Sequence, residues 1–303
     1  MMAPEVQLEV YTTPPQALVR LLRTHVPYSL PLLRRLAFTG FPGGITEHAR
    51  IMWASSAPLD AGAADAARFA AGYLDLSRGP ETELWLYSSA ERGGGDDDDD
   101  GDGDGDGDDD AEGECAAYGV ALLAEVRRRR AAYLAGGHAR EEAETVLVGS
   151  LSERTRGMLV RAGMVFPYAE VYDKWVFRVE DLPDVASPLR EGMRWDVVRR
   201  GDIGLVLGRT HIQRKERTVK LLRSTAIYLE DGTPIAWSFL GPDSSLSSLH
   251  CEEPFRGKGL AKAVAVKLLR DHLKDYDDEG YGWADVAPDN PQSQGVCKSC
   301  ELP

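Results

Sequence analysis

The order of hydrophobic and polar positions predicts alternating strands and helices in the first half of the chain. Short apolar runs are typical of buried strands, and apolar positions three or four residues apart are typical of amphipathic helices. The predicted elements are strand Glu83–Ser88, helix Tyr118–Leu134, buried strand Thr145–Gly149, helix Ser152–Ala162 and half-exposed strand Val171–Val179. We therefore expect this half to be mixed α/β.

Turn-forming residues interrupt the pattern in the early 180s. The stretch Asp181–Asp184 contains a proline, and Ser187 and Pro188 follow it. Such residues are typical of connections between domains. We expect one domain over residues 1–185 and a second over residues 190–303.

The second half shows a clearer pattern, which begins with a hairpin. Its two strands flank Asp231-Gly232, a dipeptide typical of tight turns. The predicted elements are strands Ser224–Leu229, Pro234–Leu240 and Leu246–Glu252, a helix with Leu260, Val264 and Leu268 along one stripe, strand Gly282–Ala287 and a helix from Pro291. This half is also expected to be α/β.

The negative charge of the chain is concentrated in one segment. Eleven aspartates lie between Asp96 and Asp110, and Glu112 and Glu114 follow, so without these thirteen carboxylates the net charge of −14 falls to −1. Residues 93–114 contain no apolar side chain larger than alanine, which predicts a disordered insertion. A calcium-loop pattern can be written from Asp98 to Gly103. An acidic repeat generates that pattern automatically, however, so we expect a solvated linker and no metal site.

Composition narrows the class of protein further. The chain is 43% hydrophobic, and it contains neither a long uncharged apolar run nor a basic, apolar leader at its start. We expect a soluble protein of the cytosol or nucleus without a membrane partner. Cys115, Cys251, Cys297 and Cys300 are too few for a disulfide framework, and we expect reduced thiols.

The most informative stretch is a loop that leaves a predicted strand and opens an apolar helix. Gly257 and Gly259 let backbone N–H groups approach a ligand, and Arg256 and Lys258 add positive charge beside a helix N-terminus. This combination favours a pyrophosphate. The loop matches neither a P-loop nor the G-x-G-x-x-G dinucleotide motif, because Lys262 stands at the third glycine position of the latter.

The sequence Arg256-x-x-Gly259-x-Ala261 resembles the R/Q-x-x-G-x-G/A loop of the GNAT superfamily of acyl-CoA N-acyltransferases. The order of predicted elements around the loop is similar as well. The chain resembles the fungal tandem GNAT proteins and, more distantly, glycine N-acyltransferases. This resemblance implies two GNAT-like mixed-sheet halves, of which the first is degenerate and the second lacks its last strands.

The resemblance also implies a binding site for acetyl-CoA, used as co-substrate without a metal. Backbone N–H groups of Arg256, Gly257, Lys258, Gly259, Leu260 and Ala261 would hold its pyrophosphate. Backbone groups of Leu249 and Cys251 would pair with the pantetheine arm, and the Cys251 N–H would polarise the thioester carbonyl. Asn290 and Ser293 match family residues that contact CoA, although Asn290 would also suit a helix cap.

Direct transfer of an acyl group to an amine requires a base. The nearby candidates are Glu252, which we place first, His250 and Glu253. Strand alternation would place His250 and Glu252 on one face, and Cys251 and Glu253 on the other. Each could instead be an exposed or structural side chain at the strand end.

Two departures from the family pattern affect this assignment. Cys297 stands where many members have a tyrosine that protonates the leaving thiolate, and the two closing strands are missing. The strand Gly282–Ala287 would then have an exposed edge. Cys297 and Cys300 form a C-x-x-C, which we interpret as coincidental because no second pair or histidine accompanies it.

These observations predict an N-acyltransferase that transfers a short acyl group to a small-molecule amine or amino acid. The alternative is a catalytically inactive CoA-binding or scaffolding protein. A calcium- or basic-protein-binding module that acts through the aspartate run is a third, weaker hypothesis. The first half should not bind acyl-CoA, because its aspartates fall where the CoA phosphates would sit. The four arginines Arg127–Arg130 are expected to form a solvated face, without a nucleic-acid partner.

The region from Asp202 to Arg223 should line the acceptor entrance by analogy with the family. It contains Arg209, His211, Arg214 and Arg217. This basic character suggests an acceptor that carries a carboxylate.

Overall fold

A computed structural model describes residues 5–61, 68–93, 106–138, 144–185, 189–210, 212–276 and 279–300. It divides the chain into two compact units. The first unit contains Met1–Thr39 and Ile45–Ala169, and the second contains Gly40–Gly44 and Glu170–Pro303.

The first unit is built on a five-stranded sheet with the order β1-β2-β3-β4-β5. The first four strands are antiparallel, and the last pair is parallel. The strands are β1 (Gln7–Tyr11), β2 (Arg50–Ser55), β3 (Ala70–Leu74), β4 (Leu84–Ser88) and β5 (Val148–Gly149). The helices are α1 (Gln16–Arg23), α2 (Leu30–Ala37), α3 (Asp106–Ala135) and α4 (Glu153–Arg161).

Helices cover both faces of this sheet. Along β2, Ile51 and Trp53 pack in a cluster with residues of α1 and α2, whereas Met52 and Ala54 pack with α3 and α4. Successive side chains of a strand point to opposite faces, so each of the two clusters receives alternate residues. Since both faces are buried, the central strands carry apolar residues at almost every position.

Part of the acidic segment is ordered, which corrects the prediction of a disordered insertion over residues 93–114. Helix α3 begins at Asp106. Glu112 forms ion pairs with Arg154 and Arg161 at 3.1 and 2.6 Å, and Glu114 pairs with Arg68 at 3.0 Å. Residues 94–105, which include the calcium-loop pattern, lie outside the described residues.

The second unit contains a four-stranded antiparallel sheet with the order β10-β9-β8-β7. Helix α7 packs against one face of this sheet, where Leu260 and Val264 meet Ile227 and Ile235. The strands of the unit are β6 (Asp173–Arg178), β7 (Met193–Asp196), β8 (Ser224–Leu229), β9 (Pro234–Leu240), β10 (Leu246–Cys251) and β11 (Tyr281–Val286). The helices are α5 (Ile203–Gly208), α6 (Glu216–Val219), α7 (Leu260–His272) and α8 (Pro291–Cys300).

Strand β11 is not left with the exposed edge that the sequence predicts. It pairs along its whole length with β6 in antiparallel register, from Tyr281 opposite Arg178 to Val286 opposite Asp173. A single parallel bridge between Ser245 and Trp283 joins β11 to the end of the other sheet. The cover therefore comes from a strand that precedes the sheet in sequence.

The same pairing explains where the chain divides. The sequence places the boundary in the early 180s, whereas the two units separate between Ala169 and Glu170. Strand β6 belongs to the second unit because its hydrogen-bonding partner is β11.

Both units repeat one order of elements, as expected for two GNAT-like halves. In each, four antiparallel strands are followed by a helix, by a strand that runs parallel to the fourth, and by a further helix. Two helices separate the first and second strands of each sheet. No helix in the described ranges is both long and apolar enough to cross a membrane.

Candidate functional site

Strand β10 forms the edge of the second unit's main sheet and carries an irregularity near its middle. Ser247 pairs with Phe239 and His250 pairs with Trp237, so β10 has one residue more than β9 between these pairs. Ser248 adopts a φ of 52° at this point. The register shift is a β-bulge, a feature that bends a strand and redirects its backbone groups.

Backbone alternation directs the peptide groups of Cys251 away from β9. The Glu252 N–H donates to the Ile235 carbonyl at 2.8 Å. Since successive residues of an edge strand alternate between the partner strand and the open side, the N–H and C=O of Cys251 point to the open side. Arg256 Nε donates to that Cys251 carbonyl at 3.0 Å, which agrees with this orientation.

The loop after β10 brings backbone donors to the start of α7. Gly257 and Gly259 have φ values of 71° and 77°, which favour glycine. A Cβ atom at either position would meet nothing within 4 Å, so the space on that side of the loop is open. The first N–H groups of a helix have no intrahelical acceptor. In α7 the N-cap is Gly259, which has no side chain to cap them.

The charged side chains of the loop fold back onto the loop itself. Arg256 reaches the end of β10, and Lys258 Nζ donates to the Pro254 carbonyl at 2.6 Å. The Lys258 ammonium also lies 5.1 Å from the centre of the Phe255 ring. These contacts hold two cations beside the open backbone donors, an arrangement suited to phosphate.

His250 and Glu252 lie close together, and each has a distinct partner. The His250 ring stacks on Trp237, its cross-strand neighbour, with 4.6 Å between ring centres. Glu252 Oε1 lies 3.0 Å from Arg209 Nε and 3.6 Å from His250 Nε2. The second distance is longer than a hydrogen bond, and His250 Nε2 is buried without a hydrogen-bond partner.

These surroundings shift the pKa values of both side chains, which affects how readily each accepts a proton. Burial lowers the pKa of His250 below its ordinary value, although Glu252 partly opposes this shift. Burial, the largest single effect, raises the pKa of Glu252, but the hydrogen bond and charge of Arg209, together with His250, outweigh it, so the pKa falls below its ordinary value. At neutral pH the imidazole is therefore uncharged, and the carboxylate is a weak base.

The remaining strand-end candidates have other surroundings. Leu249 and Cys251 pack on the α7 side with Leu260, and burial raises the pKa of the Cys251 thiol. Glu253 is exposed in a 3-10 turn, Glu253–Phe255, that follows the strand. The strand alternation expected to pair it with Cys251 therefore does not extend to Glu253.

Asn290 and Ser293 lie together at the start of α8. The Ser293 N–H donates to Asn290 Oδ1 at 3.0 Å, which is the hydrogen bond of a helix cap. Farther along the same helix, Cys297 and Cys300 are both buried. Within the described ranges, no three His, Cys, Asp or Glu side chains are grouped so that they could hold a metal ion.

The segment expected to line the acceptor entrance does contact β10. Arg209 pairs with Glu252, and Arg214 Nη2 donates to Ser247 Oγ at 2.8 Å. Arg217 lies exposed on α6, and His211 is outside the described residues. The sequence identified these arginines but not their partners. It also missed the stack of Trp237 on His250, because the predicted hairpin pairs the strand of Trp237 with β8 and not with β10.

The repeated units, the bulged edge strand and the glycine loop before α7 define a tandem protein of the GNAT superfamily. Residues 5–183 match the N-terminal domain of the acyl-CoA N-acyltransferase verG. This match covers more than half of the chain, and the chain belongs to that acyl-CoA N-acyltransferase family. A comparison with curated protein sequences gives no match.

Solved structures resemble the chain at low sequence identity. A Drosophila protein solved by X-ray crystallography is 15% identical, with a TM-score of 0.58, and the match covers 93% of this chain and 90% of that one. A tandem GNAT protein from the clavulanic acid biosynthesis pathway is 10% identical, with a TM-score of 0.44 and coverage of 96% and 94%. A GCN5-related N-acetyltransferase from Sphaerobacter thermophilus is 13% identical, with a TM-score of 0.42 and coverage of 92% and 86%. At 15% identity, the likeness to the Drosophila protein concerns the fold alone.

Proposed function

We propose that the second unit transfers an acetyl or another short acyl group from acyl-CoA to an amine, by direct attack in a ternary complex. The observation that carries this proposal is the open glycine loop at the start of α7, beside the bulged edge strand β10. Backbone donors there, with Arg256 and Lys258, suit the pyrophosphate of CoA. Leu260 and Ala261 supply the first two N–H groups of the helix.

The open side of β10 suits the rest of the co-substrate. Beyond the bridge between Ser245 and Trp283, the described parts of β10 and β11 share no further pairing. An extended pantetheine arm could therefore add to β10 as a strand would. In this proposal the outward N–H of Cys251 donates to the thioester carbonyl and stabilises the negative charge that develops there.

The reaction needs a single proton acceptor on the enzyme. The amine nitrogen forms a bond to the carbonyl carbon, the carbon–sulfur bond breaks, and the nitrogen loses a proton to the base. A thiol has an ordinary pKa of about 8.5, so the thiolate is a good leaving group without a tyrosine donor at the position of Cys297. The products are an amide and CoA.

His250 suits the role of base better than Glu252, which the sequence places first. The imidazole is neutral at pH 7, and the Glu252 carboxylate lies beyond hydrogen-bond distance of it. Glu252 is held by Arg209, which makes it a poorer proton acceptor. We propose a small amine or amino acid as the acceptor, with Asn290 and Ser293 near the CoA.

Calorimetric titration of acetyl-CoA into the full chain tests the binding step. Replacement Gly259→Asp places a carboxylate before the loop donors and should reduce acetyl-CoA affinity by at least tenfold. The matched control is Gly280→Asp, because Gly280 also has a positive φ, 71°, and open space around it. Both variants bear a similar backbone cost, of about 1 kcal/mol, so only the position of the charge differs.

The outcome also separates the two hypotheses of function. Binding lost in Gly259→Asp but kept in Gly280→Asp, with amide formation from a panel of amines, supports the transferase. Binding without turnover would favour an inactive CoA-binding protein. A folded wild-type chain that binds no acetyl-CoA would overturn the proposal.

A further inference from the structure

Three side chains from different parts of the second unit meet at the end of β10. Arg209 follows α5, His250 lies within the strand, and Glu252 lies one residue beyond it. A single carboxylate oxygen, Glu252 Oε1, is shared between the other two groups. It is within hydrogen-bond distance of Arg209 Nε, at 3.0 Å, and outside that distance from His250 Nε2, at 3.6 Å.

The position of this oxygen affects the protonation state of the His250 imidazole. A carboxylate that bonded His250 directly would stabilise the imidazolium, which cannot accept a further proton. A carboxylate held by a guanidinium is partly neutralised and kept at a distance. The stack on Trp237 fixes the plane of the His250 ring, so the imidazole cannot easily turn to follow the carboxylate.

We propose that Arg209 is a positioning residue for the acyl transfer: it holds the Glu252 carboxylate out of hydrogen-bond distance of His250, whose imidazole takes the proton of the attacking amine. This inference rests on the proposed function and assigns a role to a residue outside the CoA loop. Arg209 acts through Glu252.

The charged groups around His250 shift its pKa in opposite directions. Glu252 raises its pKa, whereas Arg256 from the loop and Arg209 both lower it, and burial lowers it most. Trp237, which packs on the ring, carries no charge. Removal of Arg209 should therefore raise the pKa of His250, and removal of the Glu252 charge should lower it.

The pH dependence of kcat/KM for acetyl transfer measures this effect, because activity falls on the acidic side as the base becomes protonated. In Arg209→Gln, the acidic limb should move to higher pH by about 0.5 to 1 unit, which reduces kcat/KM below that limb by about three- to tenfold. In Glu252→Gln, the limb should move to lower pH and activity should persist. His250→Gln should abolish transfer.

Two further variants control for structure and for net charge. Arg209→Lys keeps a cation at the site and should lie between wild type and Arg209→Gln. Arg200→Gln removes the same charge from an exposed position in a nearby 3-10 turn, Arg200–Asp202, and should leave the pH profile unchanged. An Arg209→Gln profile that coincides with wild type would overturn the proposal, as would loss of activity in Glu252→Gln.

A titration of the His250 imidazole followed by NMR separates failure of this inference from failure of the proposed function. The pKa of His250 should be higher in Arg209→Gln than in wild type and lower in Glu252→Gln, whether or not an acceptor is found. Shifts in these directions without any turnover would reject the transferase but keep the coupling. An unmoved pKa in an active enzyme would reject the role of Arg209 alone.

Discussion

At the scale of single residues, burial alters the chemistry of a histidine far from the glycine loop in sequence. His25 in the first unit is 7% exposed, and its Nδ1 lies 2.8 Å from the Tyr87 hydroxyl. Its ring makes a T-shaped contact with Phe69. Burial, with a smaller effect of the Arg92 charge, lowers the pKa of His25 to about 4. The folded chain therefore keeps this imidazole neutral under conditions that protonate it in the unfolded chain.

His25 should make the first unit sensitive to mild acid. Its contribution to stability is complete above the unfolded pKa of about 6.5 and is lost as the pH falls toward 4, because the unfolded state then binds more protons. Between pH 7 and pH 5, wild type should lose about 2 kcal/mol more than His25→Gln. Urea unfolding at the two pH values measures this difference, and equal losses in both proteins would contradict it.

The chemistry of the site side chains also depends on contacts between residues that are far apart in sequence. The positions of Gly257, Gly259 and the neighbouring cations are readable from local sequence because a loop and a helix start form a local structure. The difference between His250 and Glu252 is not readable, because it depends on Arg209 and Trp237. Sequence alone therefore placed Glu252 before His250.

At the scale of elements, strand β6 completes the second unit. It supplies every pairing partner of β11 along one edge. Phe177, opposite Gly282, is 4% exposed, whereas the neighbouring Arg178 is exposed. An element from the predicted first domain therefore stabilises the second unit.

Truncation of the buried aromatic side chain tests this role of β6. Phe177→Ala should reduce the free energy of unfolding of the second unit by about 3 kcal/mol, through lost burial and a residual cavity. Arg178→Ala on the same strand should change it by less than about 0.5 kcal/mol. Denaturant unfolding measures both variants. Similar small effects at the two positions would show that β6 contributes little.

The hydrophobic pattern predicts the second half closely from Ser224 onward but misses β7, α5 and α6 before it, and it predicts the first half incompletely. Strands β8 and β9 have the predicted limits, and β10 ends one residue early. No element is predicted before Glu83, where β1 to β3 and the first two helices lie. Strands β2 and β3 are buried on both faces, so they lack the alternation that identifies a half-exposed strand.

At the scale of the whole molecule, the two units share an order of elements but differ in charge at the corresponding place. In the second unit a glycine loop with Arg256 and Lys258 precedes α7, whereas in the first unit the aspartate run precedes and enters α3. A polyanion repels the phosphates of CoA. We therefore expect one acetyl-CoA binding site per chain.

Calorimetry of the full chain should give a stoichiometry of one acetyl-CoA per chain. Deletion of residues 94–105 should leave this value at one, because four aspartates of the run, Asp106 and Asp108 to Asp110, remain. Either a stoichiometry of two or residual tight binding in Gly259→Asp would show that the first unit binds the co-substrate.

The sequence by itself determined the α/β class, most elements after Glu83, the loop before α7 and the position of the excess charge. These features follow from periodicity, glycine and charge within a few residues of one another, so they are local. Tertiary structure alone decided that β6 covers β11, that Glu112 and Glu114 anchor part of the acidic segment, and that Arg209 holds Glu252. Each of these depends on a contact between residues more than 40 positions apart, whose partners no local pattern specifies.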